Sequence, residues 1–138
     1  MNYTFSIIKP DAVMKGTANE IISKICVGMF RIKGIRRIML TKERAELFYA
    51  IHKDKDFYND LIEFMTSGPV YILAITGTDA VKRFRKYIGD TDPKEAEPNT
   101  IRATYGESIG KNAIHAADSD ENAKREIAFF FPELLSSM

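Results

Sequence analysis

Apolar and polar positions along the chain fall into short blocks that predict strands alternating with helices. Residues 3–8 are apolar and rich in β-forming side chains, and Pro10 stops the run, so they predict a first strand. Thr17-Ala18-Asn19-Glu20 is a capping-box pattern that predicts the start of a helix. The apolar residues that follow it recur at helical spacing: Ile21, Ile22, Ile25, Cys26 and Met29.

The next block repeats this order. Gly34 interrupts the pattern, and residues 35–40 predict a second strand. Thr41 is a suitable cap for a helix, and residues 57–65 predict a further short helix. The helix after Thr41 carries three apolar residues on one side: Ala45, Phe48 and Ile51.

The third block contains the most continuously apolar segment, residues 70–76, which predicts a central strand. Thr78-Asp79 then starts a helix. Periodicity disappears over residues 89–111, and long irregular segments of compact domains are often functional loops. Residues 112–116 predict a brief strand, and Ser119 predicts the cap of a last helix.

The resulting order, β-α-β-α-α-β-α-loop-β-α, is compatible with two architectures. Strands separated by helices can form a parallel sheet. Four short strands with two main crossover helices also fit a split β-α-β, or ferredoxin-like, sandwich. The pattern alone leaves both open.

Composition narrows the class of protein. The chain has 138 residues, which predicts a single domain over 1–138. A net charge of +1 gives no reason to expect binding to nucleic acid or an anionic membrane. The lone Cys26 fits a reducing compartment, and neither a signal peptide nor a membrane-spanning run is evident, so a cytoplasmic location is expected.

Candidate chemistry centres on Asn112-Ala113-Ile114-His115-Ala116-Ala117-Asp118-Ser119, which holds one of two histidines. Histidine titrates near neutral pH and can act as a nucleophile or base. Gly106-Glu107-Ser108-Ile109-Gly110-Lys111-Asn112 looks like a P-loop, but it has one residue too few between its glycines and ends in Asn instead of Ser or Thr. The spacing of His and Cys residues does not fit a structural zinc site, and no signature of Ser-His-Asp chemistry is present.

Several segments in order resemble the nucleoside diphosphate kinase family. The similarity extends from about Tyr3 to Pro132. Its motifs are Ile7-Ile8-Lys9-Pro10-Asp11-Ala12-Val13, Phe64-Met65-Thr66-Ser67-Gly68-Pro69-Val70, Thr91-Asp92-Pro93 with Thr100-Ile101-Arg102, Asn112-Ala113-Ile114-His115-x-x-Asp118-Ser119, and Ala123 to Phe131.

The resemblance implies a ferredoxin-like α+β fold, with a four-stranded antiparallel sheet covered by helices. It implies transfer of the γ-phosphate of a nucleoside triphosphate, typically ATP, to a nucleoside diphosphate in two half-reactions. His115 would be the nucleophile that becomes a pros-phosphohistidine. The resemblance also places Lys9, Tyr49 and Glu126 in the catalytic set, with Lys9 on the transferring phosphate and the other two supporting the histidine.

The same resemblance implies the nucleotide contacts. Arg85 and Arg102 would bind the outer phosphates, for which planar guanidinium groups are well suited. Thr91 would donate to a phosphate, and Asn112 would bond a sugar hydroxyl or a phosphate oxygen. The base would lie between two apolar side chains, Phe57 and Ile109, which read it weakly. Mg²⁺ would arrive on the nucleotide phosphates without direct protein ligands. Asp11 and Asp118 match motif acids that are either structural or support the site.

The sequence departs from the family pattern at a few positions. The motif usually continues from histidine with Gly-Ser-Asp-Ser, whereas this chain has Ala116-Ala117 in place of Gly-Ser. Ala117 therefore lacks the hydroxyl that the family serine offers to the glutamate matching Glu126. Ala116 would be strained only if its φ were positive. Asn99 stands where the loop usually has glycine, and asparagine tolerates left-handed backbone.

Three functions compete on this evidence. The first is an active kinase, and the second is a nucleotide-binding or regulatory module weakened by Ala117. The third is an RNA-binding domain of the same fold class, but the aromatic sheet motif of such domains is missing from the sequence. The family further implies self-association, as a homotetramer or homohexamer built from a common dimer, and no specific nucleic-acid or membrane partner.

Overall fold

The computed structural model describes residues 2–138 and contains one four-stranded sheet. Its strands are β1 (Tyr3–Ile8), β2 (Arg31–Ile38), β3 (Val70–Thr76) and β4 (Ile114–Ala116), in the order β2-β3-β1-β4. Every pair is antiparallel. This topology confirms the split β-α-β, ferredoxin-like fold and excludes the parallel sheet.

Helices connect the strands and cover both faces of the sheet. They are α1 (Pro10–Met14), α2 (Ala18–Val27), α3 (Lys42–Phe48), α4 (Tyr58–Met65), α5 (Ala80–Ile88), α6 (Ile101–Tyr105) and α7 (Asp120–Phe130), with 3-10 turns at Ala50–His52 and Pro132–Ser137. None of the helices described within residues 2–138 has the length and apolar character needed to span a membrane.

Alternating positions of the central strands build two separate cores. Phe5, Ile72 and Ala74 join the residues of α3, α4 and α7 on one face. Leu73 and Ile75 join the residues of α2 and α5 on the other. Because side chains alternate across a strand, a sheet covered on both faces needs apolar residues at every position. This explains why residues 70–76 are almost wholly apolar and why the predicted central position of β3 is confirmed.

The predicted bounds of the second strand are wrong. β2 begins at Arg31 rather than at residue 35, and it continues through Gly34. The register with β3 shifts between Ile32 and Gly34, which marks a bulge rather than a break. A Cβ atom at Gly34 would lie 3.0 Å from Leu134 and 3.1 Å from Phe131, so glycine allows close packing there.

Two of the three predicted helix caps form, and one does not. The side chains of Thr41 and Ser119 accept hydrogen bonds from the first turns of α3 and α7, which confirms both caps. The Thr17 hydroxyl instead donates to the Ala12 carbonyl at 3.0 Å, so the predicted capping box does not form. Asp79 precedes α5 in left-handed conformation without capping it.

Three further features differ from the sequence prediction. The helix after Thr41 ends at Phe48, so Ile51 lies in a 3-10 turn and is exposed. The helix α1 starts directly after β1, because Pro10 occupies the first turn, where its missing N–H costs nothing. The segment 89–111 contains the short helix α6, which Thr100 caps through the Ala103 amide.

Candidate active site

His115 lies in β4 and faces a buried carboxylate on α7. Its Nε2 atom is 2.7 Å from Glu126 Oε1. The Glu126 side chain is only 5% exposed, while that of His115 is 21% exposed. An ionised carboxylate can only accept hydrogen bonds, so this contact assigns the ring proton to Nε2. The lone pair of Nδ1 is then free for chemistry.

Aromatic side chains fix the plane of the His115 ring. Phe48 and Phe5 approach it edge-on, with ring centroids at 5.9 Å and 6.2 Å. The hydroxyl of Ser6 in β1 donates to the His115 carbonyl at 2.7 Å and fixes the backbone. The nucleophile predicted from sequence is therefore held on a rigid strand rather than on a loop.

Tyr49 is buried at the C-terminal end of α3, and its ring packs edge-on against Phe48 at 4.9 Å. Burial, with a smaller contribution from the charge of Glu126, raises the pKa of the Tyr49 hydroxyl. Tyr49 is therefore neutral at physiological pH, and the negative charge behind His115 is that of Glu126.

Lys9 follows β1 directly and is almost fully buried. Its Nζ donates to Asn112 Oδ1 at 2.9 Å, and Asn112 Nδ2 donates to the Thr91 carbonyl at 3.0 Å. Burial, followed by repulsion from Arg102, lowers the pKa of Lys9 to about 8, although Asp11 acts in the opposite direction. The Asn112 amide thus connects three residues that the sequence assigned to the nucleotide.

Arg102 and Arg85 bind the backbone on either side of His115. Arg102 Nη2 donates to the Ile114 carbonyl at 2.8 Å, and Arg85 Nη1 donates to the Ala116 carbonyl at 3.3 Å. Burial and then the charge of Arg85 lower the pKa of Arg102 to about 10. The pKa values of Lys9 and Arg102 are lowered first by burial and then by repulsion from neighbouring positive charge, so cations lie close together here. Such crowding is typical of sites for anions.

A strained residue stands immediately before β4. Ala113 is buried with a φ of 76°, a conformation that costs an alanine about 1–2 kcal/mol. Its amide donates to Asp11 Oδ2 at 3.0 Å, and its carbonyl accepts from the Lys9 amide at 2.9 Å. Burial raises the pKa of Asp11. Asp11 thus holds the backbone between Asn112 and His115 through the Ala113 amide.

The two side chains assigned to the base are exposed. Phe57 is 51% exposed, so it is not a core residue, and Ile109 is 60% exposed in the segment 107–111. The ring of His52 lies 5.7 Å from that of Phe57 and 6.4 Å from that of Tyr49. His52 therefore lies between the rings of Tyr49 and Phe57. No signal in the sequence indicated this contact, because residues 53–56 look like a charged connector.

The residues that depart from the family pattern adopt backbone conformations that their side chains tolerate. Within residues 2–138 the non-glycine residues with positive φ are Met29, Asp79, Asn99 and Ala113, so Ala116 is unstrained. The φ of Asn99 is 72°, as expected for asparagine replacing glycine. Ala117 is fully buried and packs in a small cluster with Val81 and Ala123.

Two observations concern what the site could hold. A groove of about 950 Å³ adjoins the cationic group and is lined by Arg85, Thr91 and residues 97–100. Among residues 2–138, no group of three or more His, Cys, Asp and Glu side chains is arranged to hold a metal ion.

Asp118 accepts a hydrogen bond from Asn122 Nδ2 at 2.6 Å, and this bond lowers the pKa of the Asp118 carboxyl.

A ferredoxin-like domain with a histidine flanked by Arg102 and Arg85 belongs, by its fold and site, with proteins that bind phosphate groups. The family model described as nucleoside diphosphate kinase matches residues 2–135. The chain therefore belongs to the nucleoside diphosphate kinase family.

Known relatives agree over almost the full length. A nucleoside diphosphate kinase of Campylobacter hominis is 53% identical over 131 residues, which cover 95% of this chain and 96% of the relative. One of Nitratiruptor is 50% identical over 133 residues, covering 96% and 97%. The structure of the Aquifex aeolicus enzyme superposes with a TM-score of 0.92 at 45% identity and covers 94% of each chain. The structure of the Halobacterium salinarum enzyme in complex with CDP superposes with a TM-score of 0.89 at 36% identity. The match covers 95% of this chain and 88% of that one.

Proposed function

We propose that this protein is a nucleoside diphosphate kinase that transfers the γ-phosphate of a nucleoside triphosphate, typically ATP, to a nucleoside diphosphate through a phosphohistidine at His115. The observation that carries the proposal is the contact of His115 Nε2 with Glu126, because it leaves Nδ1 as the nucleophilic atom. The cations beside the same residue supply the charge that transferring phosphate requires.

The transfer proceeds in two balanced steps. In the first, the Nδ1 lone pair attacks the γ-phosphorus, the bond from phosphorus to the bridging oxygen breaks, and the diphosphate leaves with that electron pair. The imidazole gains positive charge, which Glu126 stabilises through the proton on Nε2. In the second, a terminal oxygen of another diphosphate attacks the same phosphorus, and the P–N bond breaks to restore the neutral ring.

The cationic side chains take separate roles in this proposal. Lys9 contacts the transferring phosphate, because its ammonium is buried and is held by Asn112, two residues before β4. Arg85 and Arg102 hold the outer phosphates, and Thr91 and Asn112 complete the set. The cost of burying the charges of Lys9 and Arg102 is offset when an anion binds beside them.

The base is held by stacking on Phe57, with Ile109 on its other side, and the exposure of both residues supports this role. Stacking and apolar contact distinguish bases weakly, so several nucleotides are accepted. The structure of the Halobacterium salinarum relative contains bound CDP, which is a nucleoside diphosphate.

Mg²⁺ enters as part of the nucleotide substrate. The described residues include no cluster of three or more His, Cys, Asp and Glu side chains that could hold a metal ion, and Asp118 is already bonded to Asn122. This donor set fits a cation held chiefly by phosphate oxygens. We place this reaction in the cytoplasm, in keeping with the single exposed Cys26.

The protein assembles with copies of itself, as a homotetramer or a homohexamer built from a common dimer. β2 lies at an edge of the sheet, and the adjoining Val27 and Met29 are 80% and 82% exposed. An open edge strand beside apolar side chains is a natural surface for pairing with a second chain. Sedimentation of the purified protein would give the number of subunits.

The direct test is incubation with γ-labelled ATP and magnesium, followed by a chase with unlabelled GDP. The proposal predicts one acid-labile label per chain that the chase converts to labelled GTP. Nucleotide binding without any label would reject the kinase and favour the regulatory module.

The lowered pKa of Lys9 predicts two opposite trends with pH. Only the ammonium form attracts phosphate, so the affinity of the free enzyme for ADP should fall above pH 8. Between pH 8 and 10.5, the unfolded chain holds this proton and the folded chain does not, so the contribution of Lys9 to the free energy of unfolding should rise with pH. Calorimetric titration and thermal melts measure both. A Lys9→Met variant that keeps either trend would contradict the assignment.

Ala117→Ser tests the departure from the family pattern. We expect kcat to be equal or several-fold higher, because an added hydroxyl bonding Glu126 is worth about 1 kcal/mol. Ala123→Ser is the matched control, since it adds the same group to the same buried cluster one turn before Glu126. Steady-state kinetics decide, and a clear loss of activity confined to Ala117→Ser would contradict the expectation.

A further inference from the structure

Glu126 is contacted by a cation on the side opposite His115. Arg125 Nη2 lies 3.4 Å from Glu126 Oε2, while Oε1 of the same carboxylate lies 2.7 Å from His115 Nε2. Among residues 2–138, the ion pairs of Glu126 are those with His115 and Arg125. A buried carboxylate needs such partners, because its desolvation is costly when they are absent.

Arg125 is itself held in place by the last residue of α3. Its Nη1 donates to the Phe48 carbonyl at 3.3 Å, and its guanidinium lies 5.6 Å from the centroid of the Phe48 ring. The final carbonyls of a helix are free to accept and carry partial negative charge, which favours a cation there. The same Phe48 ring packs edge-on against His115. One residue thus locates both the arginine and the histidine.

The contact between Arg125 and Glu126 is not an ordinary pair on a helix face. Consecutive helical residues point about 100° apart, and side chains on one face are three or four residues apart. The Arg125 side chain must therefore bend back along α7 to reach Oε2. The Phe48 carbonyl supplies the reason for this bend.

We propose that Arg125 is a positioning residue for phosphoryl transfer. With one nitrogen on the C-terminal end of α3 and another on Glu126 Oε2, it holds the carboxylate so that Oε1 accepts from His115 Nε2. This keeps the proton off Nδ1, the atom that attacks phosphorus. The inference rests on the proposed phosphohistidine function and adds a residue that touches neither nucleotide nor phosphate.

Kinetics of two variants separate this role from a purely structural one. Arg125→Gln should slow phosphohistidine formation about tenfold, the range seen when a supporting contact is lost, with nucleotide KM unchanged within about twofold. Arg125→Lys keeps the charge but not the fork, so we expect a smaller loss. Arg44→Gln is the control, because Arg44 stacks on Phe129 and Phe130 of the same aromatic cluster, at 4.7 Å and 5.4 Å.

A second measurement does not depend on activity. The chain has two histidines, so NMR of protein with isotope-labelled histidine reports the ring tautomer of His115, and His52→Gln assigns the signals. Wild type and Arg44→Gln should show the tautomer with the proton on Nε2. Arg125→Gln should show a mixture, and Arg125→Lys an intermediate one.

The combined outcomes are distinct. An unchanged tautomer and an unchanged rate in Arg125→Gln, with only a lower melting temperature, would reduce Arg125 to a cap of α3 and overturn the inference. A wild type that forms no phosphohistidine, but whose tautomer depends on Arg125, would reject the kinase function and leave the positioning role standing.

Discussion

Replacement of His115 by glutamine should abolish the phosphoenzyme and lower kcat by at least about ten-thousand-fold. Glutamine can still donate a hydrogen bond to Glu126, but it offers no nucleophilic nitrogen to replace Nδ1. Loss of the nucleophile removes the two-step route entirely, and only the binding of nucleotides remains. Labelling with γ-labelled ATP and steady-state assays measure the two effects.

The matched control for this variant is His52→Gln, which changes the other histidine. It should still be labelled to one phosphate per chain. The melting temperature of His115→Gln should stay close to that of the wild type, because the amide keeps the bond to Glu126. A labelled and active His115→Gln enzyme would show that the nucleophile lies elsewhere.

Lys9→Met should lower kcat about a hundred-fold or more without making the protein less stable. Removal of one preorganised charge from a transferring group commonly costs this much. The pKa of Lys9, lowered from 10.5 to about 8, corresponds to a penalty of about 3 kcal/mol for the buried charge in the resting protein. Methionine removes that penalty. It also leaves Asn112 Oδ1 without its donor, which destabilises the folded protein by about 1–3 kcal/mol, so the two effects roughly cancel.

Lys15→Met serves as the comparison. Lys15 pairs with Glu107 at 2.5 Å, and both side chains are well exposed, so loss of this pair should leave activity and stability unchanged. Chemical unfolding and kinetics on both variants test the prediction. Activity of Lys9→Met within threefold of wild type would remove Lys9 from the phosphate site. A marked loss of stability would show that the lysine is structural.

Sequence patterns correctly located the strands that are bounded by proline or glycine. β1 and β3 were predicted to the residue, since Pro10 follows one strand and Gly68-Pro69 precedes the other. β2 was misplaced because most of its residues are exposed and a bulge at Gly34 interrupts the alternation. α6 escaped notice because five residues are too few to show a helical period.

The candidate site, too, was predicted only in part. Motifs named the candidate residues, but spacing alone could not show that Asn112 joins Lys9 to Thr91, or that Asp11 holds Ala113 at positive φ. The contacts of Lys9 with Asn112 and of Asp11 with Ala113 join segments about 100 residues apart in sequence. The pairing of Arg125 with Glu126 was equally hidden, because it depends on a carbonyl of α3.

The atom of attachment tests the central claim most directly. Wild-type enzyme phosphorylated by ATP, with its histidines isotope-labelled, can be examined by NMR to identify the ring nitrogen bonded to phosphorus. We predict that the phosphoryl group is on Nδ1 of His115, with the Nε2 proton still donated to Glu126. Phosphate on Nε2, or on any residue other than His115, would contradict the mechanism.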